Sequence, residues 1–241
     1  MSNIDAPSRT RREADSEPSQ TSVDQASLLI RQAIITGQYG PGERIKLSDL
    51  TERFGLSAMP MREALRKLEG EGLVQIEANR GATVRRVDRK FLEDLYEVRA
   101  QLEILAVGRC IERMTVDKLE TIDALRLAHE RAAQAGDMRR IVDANRTLHM
   151  HLFDIAGNLE ARRLFQLGWE LIHALRMRFG YRPNRLDVIV REHKMLLEAF
   201  TRLDRGAAEA VVRMHTYAGL EDILQALDLD RRAGVSASRV S

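Results

Sequence analysis

The chain of 241 residues is short of cysteine, proline and aromatic residues, and each shortage excludes something. A single cysteine, Cys110, rules out an internal disulfide framework and any cysteine-based zinc site. It reads as a small core residue in a reducing compartment, which points to the cytoplasm. No apolar run approaches the ~18 residues a membrane span needs, so no membrane partner is expected. The opening "MSNIDAPSRTRREADSEPSQTS" lacks the apolar segment of a secretory signal. It is polar and Ser-rich and contains Pro7 and Pro18, so residues 1–21 read as a disordered tail. Arg9, Arg11 and Arg12 there either brush phosphates or only solubilise the chain. Charge of one sign is also lacking. With 38 Lys and Arg against 36 acids the net charge is +2, so a nucleic-acid surface must arise from local arrangement. No nucleophile elbow, phosphate loop or HExxH sequence is present.

What is there is aliphatic. Hydrophobic residues make up 44% and aromatics only 5%, a balance that leans helical and supplies core for two domains. Val23, Ala26, Ile30, Ala33 and Ile34 fit one helix, which Gly37 ends. After the turn "YGPGERI", Ser48 is placed to cap a short helix, "DLTERF", that stops at Gly55. In the stretch "GLSAMPMREALRKLEGEGLV", Met61, Ala64, Leu65 and Leu68 recur at i, i+3, i+4 and i+7. Ser57 stands at its N-cap, and Pro60 is tolerated in the first turn, where N–H groups have no intrahelical partner. The other face carries Met59, Arg62, Glu63 and Arg66, and by itself suits either DNA or solvent. From Leu73 the period changes. Leu73, Val74 and Ile76, then Thr83, Val84 and Val87, flank a turn at Asn79-Arg80-Gly81. The pattern over residues 22–87 is a winged helix-turn-helix, three helices plus a two-stranded wing, with arginines at Arg80, Arg85 and Arg86 of the wing.

Beyond Asp88 the strand pattern is lost. Six helices are predicted, over 88–113, 115–135, 137–157, 159–179, 184–203 and 205–228, with breakers at Thr115, Gly136, Gly157-Asn158, Gly180 to Pro183, and Gly206. Short connections favour antiparallel neighbours, so residues 88–229 read as an all-α antiparallel bundle. Residues 230–241 read as a flexible C-terminal tail. The fold class is therefore mainly α.

The pieces "AIITG", "PGERI", "LTERFGLS", "P-M-REAL-RKLE-EGLV" and "RGATV" together resemble the GntR family of bacterial transcription regulators. "LYEVRAQLE" from residue 95, "LHMHLFDIAGN" from 148 and "EHKMLLEAFTRLDRGAAEAVVRMH" from 192 resemble the all-helical effector domain of its FadR-type members. The likeness covers about residues 23 to 228. It implies a repressor-like homodimer on a palindromic DNA operator, released by a small organic ligand. DNA-facing positions carry over to Ser48, Ser57, Ala58, Met59, Arg62, Arg66, Arg80 and Gly81. Arg62 stands as the main base reader, with Arg66 and Lys67 on phosphates. Where the family usually reads Ser-Arg-Thr-Pro, this chain has Ser57-Ala58-Met59-Pro60, so an arginine and a hydroxyl that commonly face DNA are missing.

Asn145 and His149 share a helix face at i, i+4. His193 lies among Ile189, Leu196 and Leu197, and His215 follows Val211 and Val212. Spacing alone allows three separate core histidines, each bonded to a carbonyl or carboxylate. The resemblance implies instead a divalent transition metal, zinc or nickel-like, on Asn145, His149, His193 and His215, with Asn in place of the more usual Asp. His151 points about 200° away from His149 on an ideal helix and is a poor co-ligand. Arg99 matches a family arginine facing the effector cavity, where it suits a carboxylate. A salt bridge to Glu103 at i+4 is the alternative.

Other readings are a metal-dependent enzyme using the histidines, or a helical adaptor. An enzyme needs a placed acid or base, and Glu192 points about 100° from His193. The chain is accordingly expected not to be an enzyme. The expected switch is a ligand that tightens the bundle and shifts the helix starting at Asp88, altering the spacing of two DNA heads.

Overall fold

The computed structural model describes residues 19–40, 42–77 and 81–237. The N-terminal head consists of α1 (Gln20–Ile35), β1 (Arg44–Ile45), α2 (Leu47–Phe54), α3 (Ala58–Gly70), β2 (Val74–Glu77) and β3 (Gly81–Val84). The apolar face expected of α3 is inside: Met61, Ala64, Leu65 and Leu68 are all buried, against Ile30, Leu50 and Val84 among others. Met61, Leu65 and Leu68 each contribute about 1.5–3 kcal/mol when fully buried. Gly55, in the left-handed conformation, ends α2 and makes the tight turn into α3.

The expected two-stranded wing has a third strand. β3 is central, pairing antiparallel with β2 (Val74↔Val84) and with β1 (Arg44↔Thr83, Ile45↔Ala82). β1 is two residues long, too short for any periodicity, and exists because Ile45 is drawn wholly into the core. Two caps also differ. α2 begins at Leu47 with Lys46 at its N-cap, since half-buried Leu47 packs on the core, and Ser48 sits in the first turn with its hydroxyl on Asp49. Ser57 does occupy the N-cap of α3, yet its hydroxyl makes no cap hydrogen bond. Pro60, at the third helical position, has no N–H to give it.

Six helices follow: α4 (Arg89–Glu112), α5 (Val116–Ala135), α6 (Met138–Ala156), α7 (Leu159–Phe179), α8 (Arg185–Thr201) and α9 (Arg205–Ala237). Asp88, Thr115, Asp137 and Asn158 cap four of them through side chains, as their residue types dictate. α4 packs along α9 and against α6 and α7, α5 lies between α6 and α8, and α8 pairs with α9. At the ends, α1 starts at Gln20, inside the segment read as tail, and α9 runs to Ala237, past the expected end at 229. Residues 1–18, with Arg9, Arg11 and Arg12, and residues 238–241 lie outside the described residues. No helix among the described residues is long and apolar enough to cross a membrane.

One hydrophobic core is continuous across the head and the near end of the bundle, joining Ile30, Leu68 and Val84 to Leu92, Leu171 and Ile223. A second fills the far end around Phe153, Phe165 and Phe200. The functional groups of the bundle lie between and within these cores.

Candidate functional site

α6 presents Asn145 and His149 on one face; α8 contributes His193 and α9 contributes His215. Their approach is close: one ring nitrogen from each of His149, His193 and His215 lies within 4.8 Å of the others. Ring centroids are 5.1 Å apart for His149–His215 and His193–His215, and 5.7 Å for His149–His193. His149 Nε2, both nitrogens of His193 and Asn145 Oδ1 are buried with no hydrogen-bond partner. Orphaned buried nitrogens on His149 and His193 and an orphaned amide oxygen, with His215 converging on them, are costly unless something binds them. They form the neutral N/O donor set that suits a divalent transition metal.

On His215 and His149 the ring nitrogen turned away from this centre is held by a carboxylate. Glu192 Oε2 is 2.7 Å from His215 Nδ1, and Arg185 Nη1 donates to Glu192 Oε1 at 2.8 Å. Glu103 Oε2 is 3.4 Å from His149 Nδ1 and accepts from Thr216 Oγ1 at 3.1 Å, while Arg99 Nε is 2.8 Å from Glu103 Oε1. His215 and His149 thus each lean on a glutamate that leans on an arginine. Burial pushes against the charge on Glu103, but Arg99 and His149 overcome it and hold its carboxyl down at about 2. Glu192 is likewise lowered, burial being outweighed by hydrogen bonds from His215 and Arg185. Burial holds His193 and His215 below the ordinary histidine range, which keeps lone pairs available.

Beside the cluster is a cavity of about 40 Å³ lined by Arg99, Asn145, Trp169, Tyr181, Arg185 and His215, among others. Arg99 lines this cavity and forms the alternative salt bridge. It pairs with Glu103, and its guanidinium also lies 4.2 Å over Phe165 and 4.9 Å over Trp169 with Nη1 buried and unpartnered.

Glu192 corrects a sequence expectation. The angular argument that set it aside holds for its own neighbour His193, but Glu192 reaches His215 on α9 instead. Arg185 was missed because its partner Glu192 is two turns along the same helix and nothing marks either as buried. His129 was also missed. It is fully buried on α5, 4.9 Å from His193 between centroids, and falls on the stripe Ile122, Leu125, His129, Ala132, a signal the sequence did contain. His151 stays apart from the cluster, lining a surface groove with Thr121 and Asp143.

On the head, Ser48, Ser57, Ala58, Met59, Arg62 and Arg66 are all exposed on α2 and α3, forming one accessible face. Arg66 donates to Glu63 at 2.8 Å. Lys67, read as a phosphate contact, is exposed and pairs with Asp24 of α1 at 2.8 Å. Gly81 is exposed with φ +87, and a Cβ there would meet the Ile45 carbonyl oxygen at 3.0 Å. Arg80 lies outside the described residues. Arg85 and Arg86 line a cavity of about 630 Å³ at the seam between head and bundle, with Arg85 4.3 Å over Phe91, so they serve the seam.

Comparison with known proteins adds the following. Residues 23–84 match the profile of "Bacterial regulatory proteins, gntR family", and residues 94–218 match that of the "FCD domain". Among curated proteins, the chain is 29% identical over 187 residues to the uncharacterized HTH-type transcriptional regulator YdhC of Bacillus subtilis, spanning 77% of this chain and 84% of that one. It is 28% identical over 221 residues to the HTH-type transcriptional repressor GlaR of Escherichia coli, spanning 82% and 94%. Among solved structures, E. coli McbR/YncC superposes with a TM-score of 0.66 at 22% identity, over 85% of this chain and 97% of that one. The metal-free FCD domain of TM0439 gives 0.50 at 20% identity, over 59% and 98%.

Proposed function

We propose, from the premise that this chain belongs to the GntR family of bacterial regulatory proteins and carries an FCD effector domain, that it is a repressor which binds a palindromic operator as a dimer and is released by a small carboxylate. The head runs from α1 through the wing to residue 87, and the effector and dimerisation domain from Asp88 through α9. The observation that carries the reading of the effector site is the convergence of His149, His193 and His215 beside a cavity lined by Arg99 and Asn145. Relatives named as regulators and repressors support reading the site as a sensor rather than a reaction centre.

His149, His193, His215 and the Asn145 amide oxygen would hold a divalent transition metal, which supplies positive charge at the cavity floor without a protonated side chain. Glu103 and Glu192 fix the imidazole orientations. Arg99, with one N–H group buried and unpartnered, is positioned to take a carboxylate oxygen. At about 40 Å³ the cavity is far below the roughly 300–1,000 Å³ usual for a small-molecule site. A small acid must therefore part its walls on α4, α6, α7, α8 and α9. α4 follows the wing directly from Asp88, so movement of its wall is movement of the head. A ligand moves that equilibrium only by its difference in affinity between the two arrangements.

Two heads are needed because one winged helix reads only a few base pairs. The second copy is placed on the α4–α7 face, where Val98, Leu105 and Leu164 are exposed. On α3, Arg62 reads a base edge and Arg66 takes phosphate, with Ser48, Ser57, Ala58 and Met59 against the DNA, while Arg80 and Gly81 of the wing approach the neighbouring groove.

The test is a His193→Ala/His215→Ala double variant, with metal content by mass spectrometry and operator release measured against a panel of small carboxylates. Loss of both metal and release supports the reading. Full metal content with normal release overturns the site, and loss of metal with normal release overturns the metal as the ligand's anchor.

A further inference from the structure

A metal-binding imidazole uses one nitrogen on the metal and needs a partner for the other, which fixes the ring's tautomer and orientation. In this bundle His215 has Glu192 and His149 has Glu103. Among the described residues His193 has no carboxylate partner, and both of its nitrogens are buried without a hydrogen bond. What faces it is His129 of α5, also fully buried, with both nitrogens unpartnered and its ring edge-on at 4.9 Å between centroids and 71° between planes. Two imidazoles joined by an ordinary N–H···N bond have centroids about 5 Å apart. The ring separation therefore matches that of such a bonded pair, once the two rings turn a nitrogen toward each other.

His129 is an expensive way to fill space. Ile122 and Ala132 on the same stripe pack with no polar atom to satisfy, and a leucine or methionine would do the same. Two idle buried nitrogens next to a third and fourth demand a task. His129 is not placed as a further ligand, because the nitrogens that converge within 4.8 Å are those of His149, His193 and His215. It stands behind His193.

We propose that His129 is the positioning residue of His193: its neutral imidazole accepts the proton-bearing nitrogen of His193 and so presents the other nitrogen to the metal. Three imidazoles then have three outer partners, two carboxylates and one imidazole. The neutral partner leaves His193 the least electron-rich of the three. The inference rests on the metal reading of the cluster, and the experiment separates the two.

Cobalt(II) alone is titrated into metal-stripped full-length protein, and affinity is compared for wild type, His129→Leu and His129→Gln. X-ray absorption counts the imidazoles around the cobalt. Loss of an outer partner of this kind lowers metal affinity 10–100-fold, so about that loss is expected for His129→Leu. Recovery is expected in His129→Gln, whose amide oxygen accepts the same N–H, with the imidazole count equal in all three. Equal affinity in wild type and His129→Leu overturns the proposal. So does one imidazole fewer around cobalt in His129→Leu, since His129 would then be a direct ligand. If wild type itself binds no cobalt, the metal reading fails first and takes this inference with it. If His129→Leu does not fold, His129→Phe, which fills the space and removes both nitrogens, is read in the same way.

Discussion

Glu192 grips His215: its Oε2 lies 2.7 Å from Nδ1, while its other oxygen accepts from buried Arg185 at 2.8 Å. One carboxylate thus satisfies a buried cation from its own helix and orients an imidazole on another. Removing it should do two separable things. Glu192→Ala strands the Arg185 cation and should destabilise the metal-free protein by about 3–5 kcal/mol in urea denaturation. Glu192→Gln keeps hydrogen-bonding capacity at both positions and should retain more of the stability while still weakening metal binding. Equal stability of the alanine variant and wild type would show that Arg185 finds another partner.

Arg62 is the exposed α3 cation without the intrahelical acid that Arg66 has in Glu63. If it pairs with a guanine edge, Arg62→Ala should cost about 1–3 kcal/mol of operator binding and relax base preference at one position of each half-site. Arg66→Ala should weaken binding to all sequences alike and flatten the salt dependence. Electrophoretic mobility shifts on a set of single-base operator variants distinguish the two, and an unchanged preference in Arg62→Ala removes it as the reader.

Gly81 has two reasons to be glycine, a φ of +87 and the Ile45 carbonyl 3.0 Å from where a Cβ would stand. Gly81→Ala should destabilise the head by more than about 1 kcal/mol, and loosen the β1–β3 pairing in particular. Hydrogen exchange of the strand amides, faster in the variant only around Ile45 and Ala82, is the check. Uniform exchange in both proteins would place the strain elsewhere.

These cases also show what the sequence made legible. Most bundle helices were readable to within two residues, because a 3.6-residue apolar period and, in four of them, a cap such as Thr115 or Asn158 mark them, whereas α9 runs on to Ala237. The three clustered histidines lay on inward faces of their helices, but only the family likeness said that they meet. What escaped was whatever depends on a partner far along the chain. β1 is defined by its pairing with β3, and the role of Glu192 by a residue on another helix. Arg85 and Arg86 look like wing charges in one dimension, yet the approach of the bundle turns them to the seam. His129 was within reach of periodicity, had the polar member of an apolar stripe been questioned.

Cys110 is a chemical probe of the far core. Its thiol is buried, donates to the Leu152 carbonyl at 3.1 Å, and is pushed up to about 12 by burial. Iodoacetamide at pH 8 should modify the native protein at least about 100-fold more slowly than the denatured chain. Comparable rates would mean that the α4–α6 packing opens readily.

The α4–α7 face makes the dimer testable. A Val98→Glu/Leu105→Glu variant should sediment as a monomer at micromolar concentration while wild type sediments as a dimer, and it should lose operator affinity with its effector domain still folded. A dimer that survives both charges would move the interface to another face.

The continuous core running from Ile30 and Val84 of the head to Leu171 and Ile223 of the bundle bears on portability. A DNA-reading head tethered only by a linker can be cut off and spliced to another sensor. Here the head's inner surface is finished by residues that arrive more than eighty positions later. A chimaera joined at Asp88 therefore inherits an unmatched apolar seam unless Leu171, Leu175 and Leu227 travel with the head. The unit that can be exchanged in this protein is an interface, and its borders do not coincide with any single point along the chain.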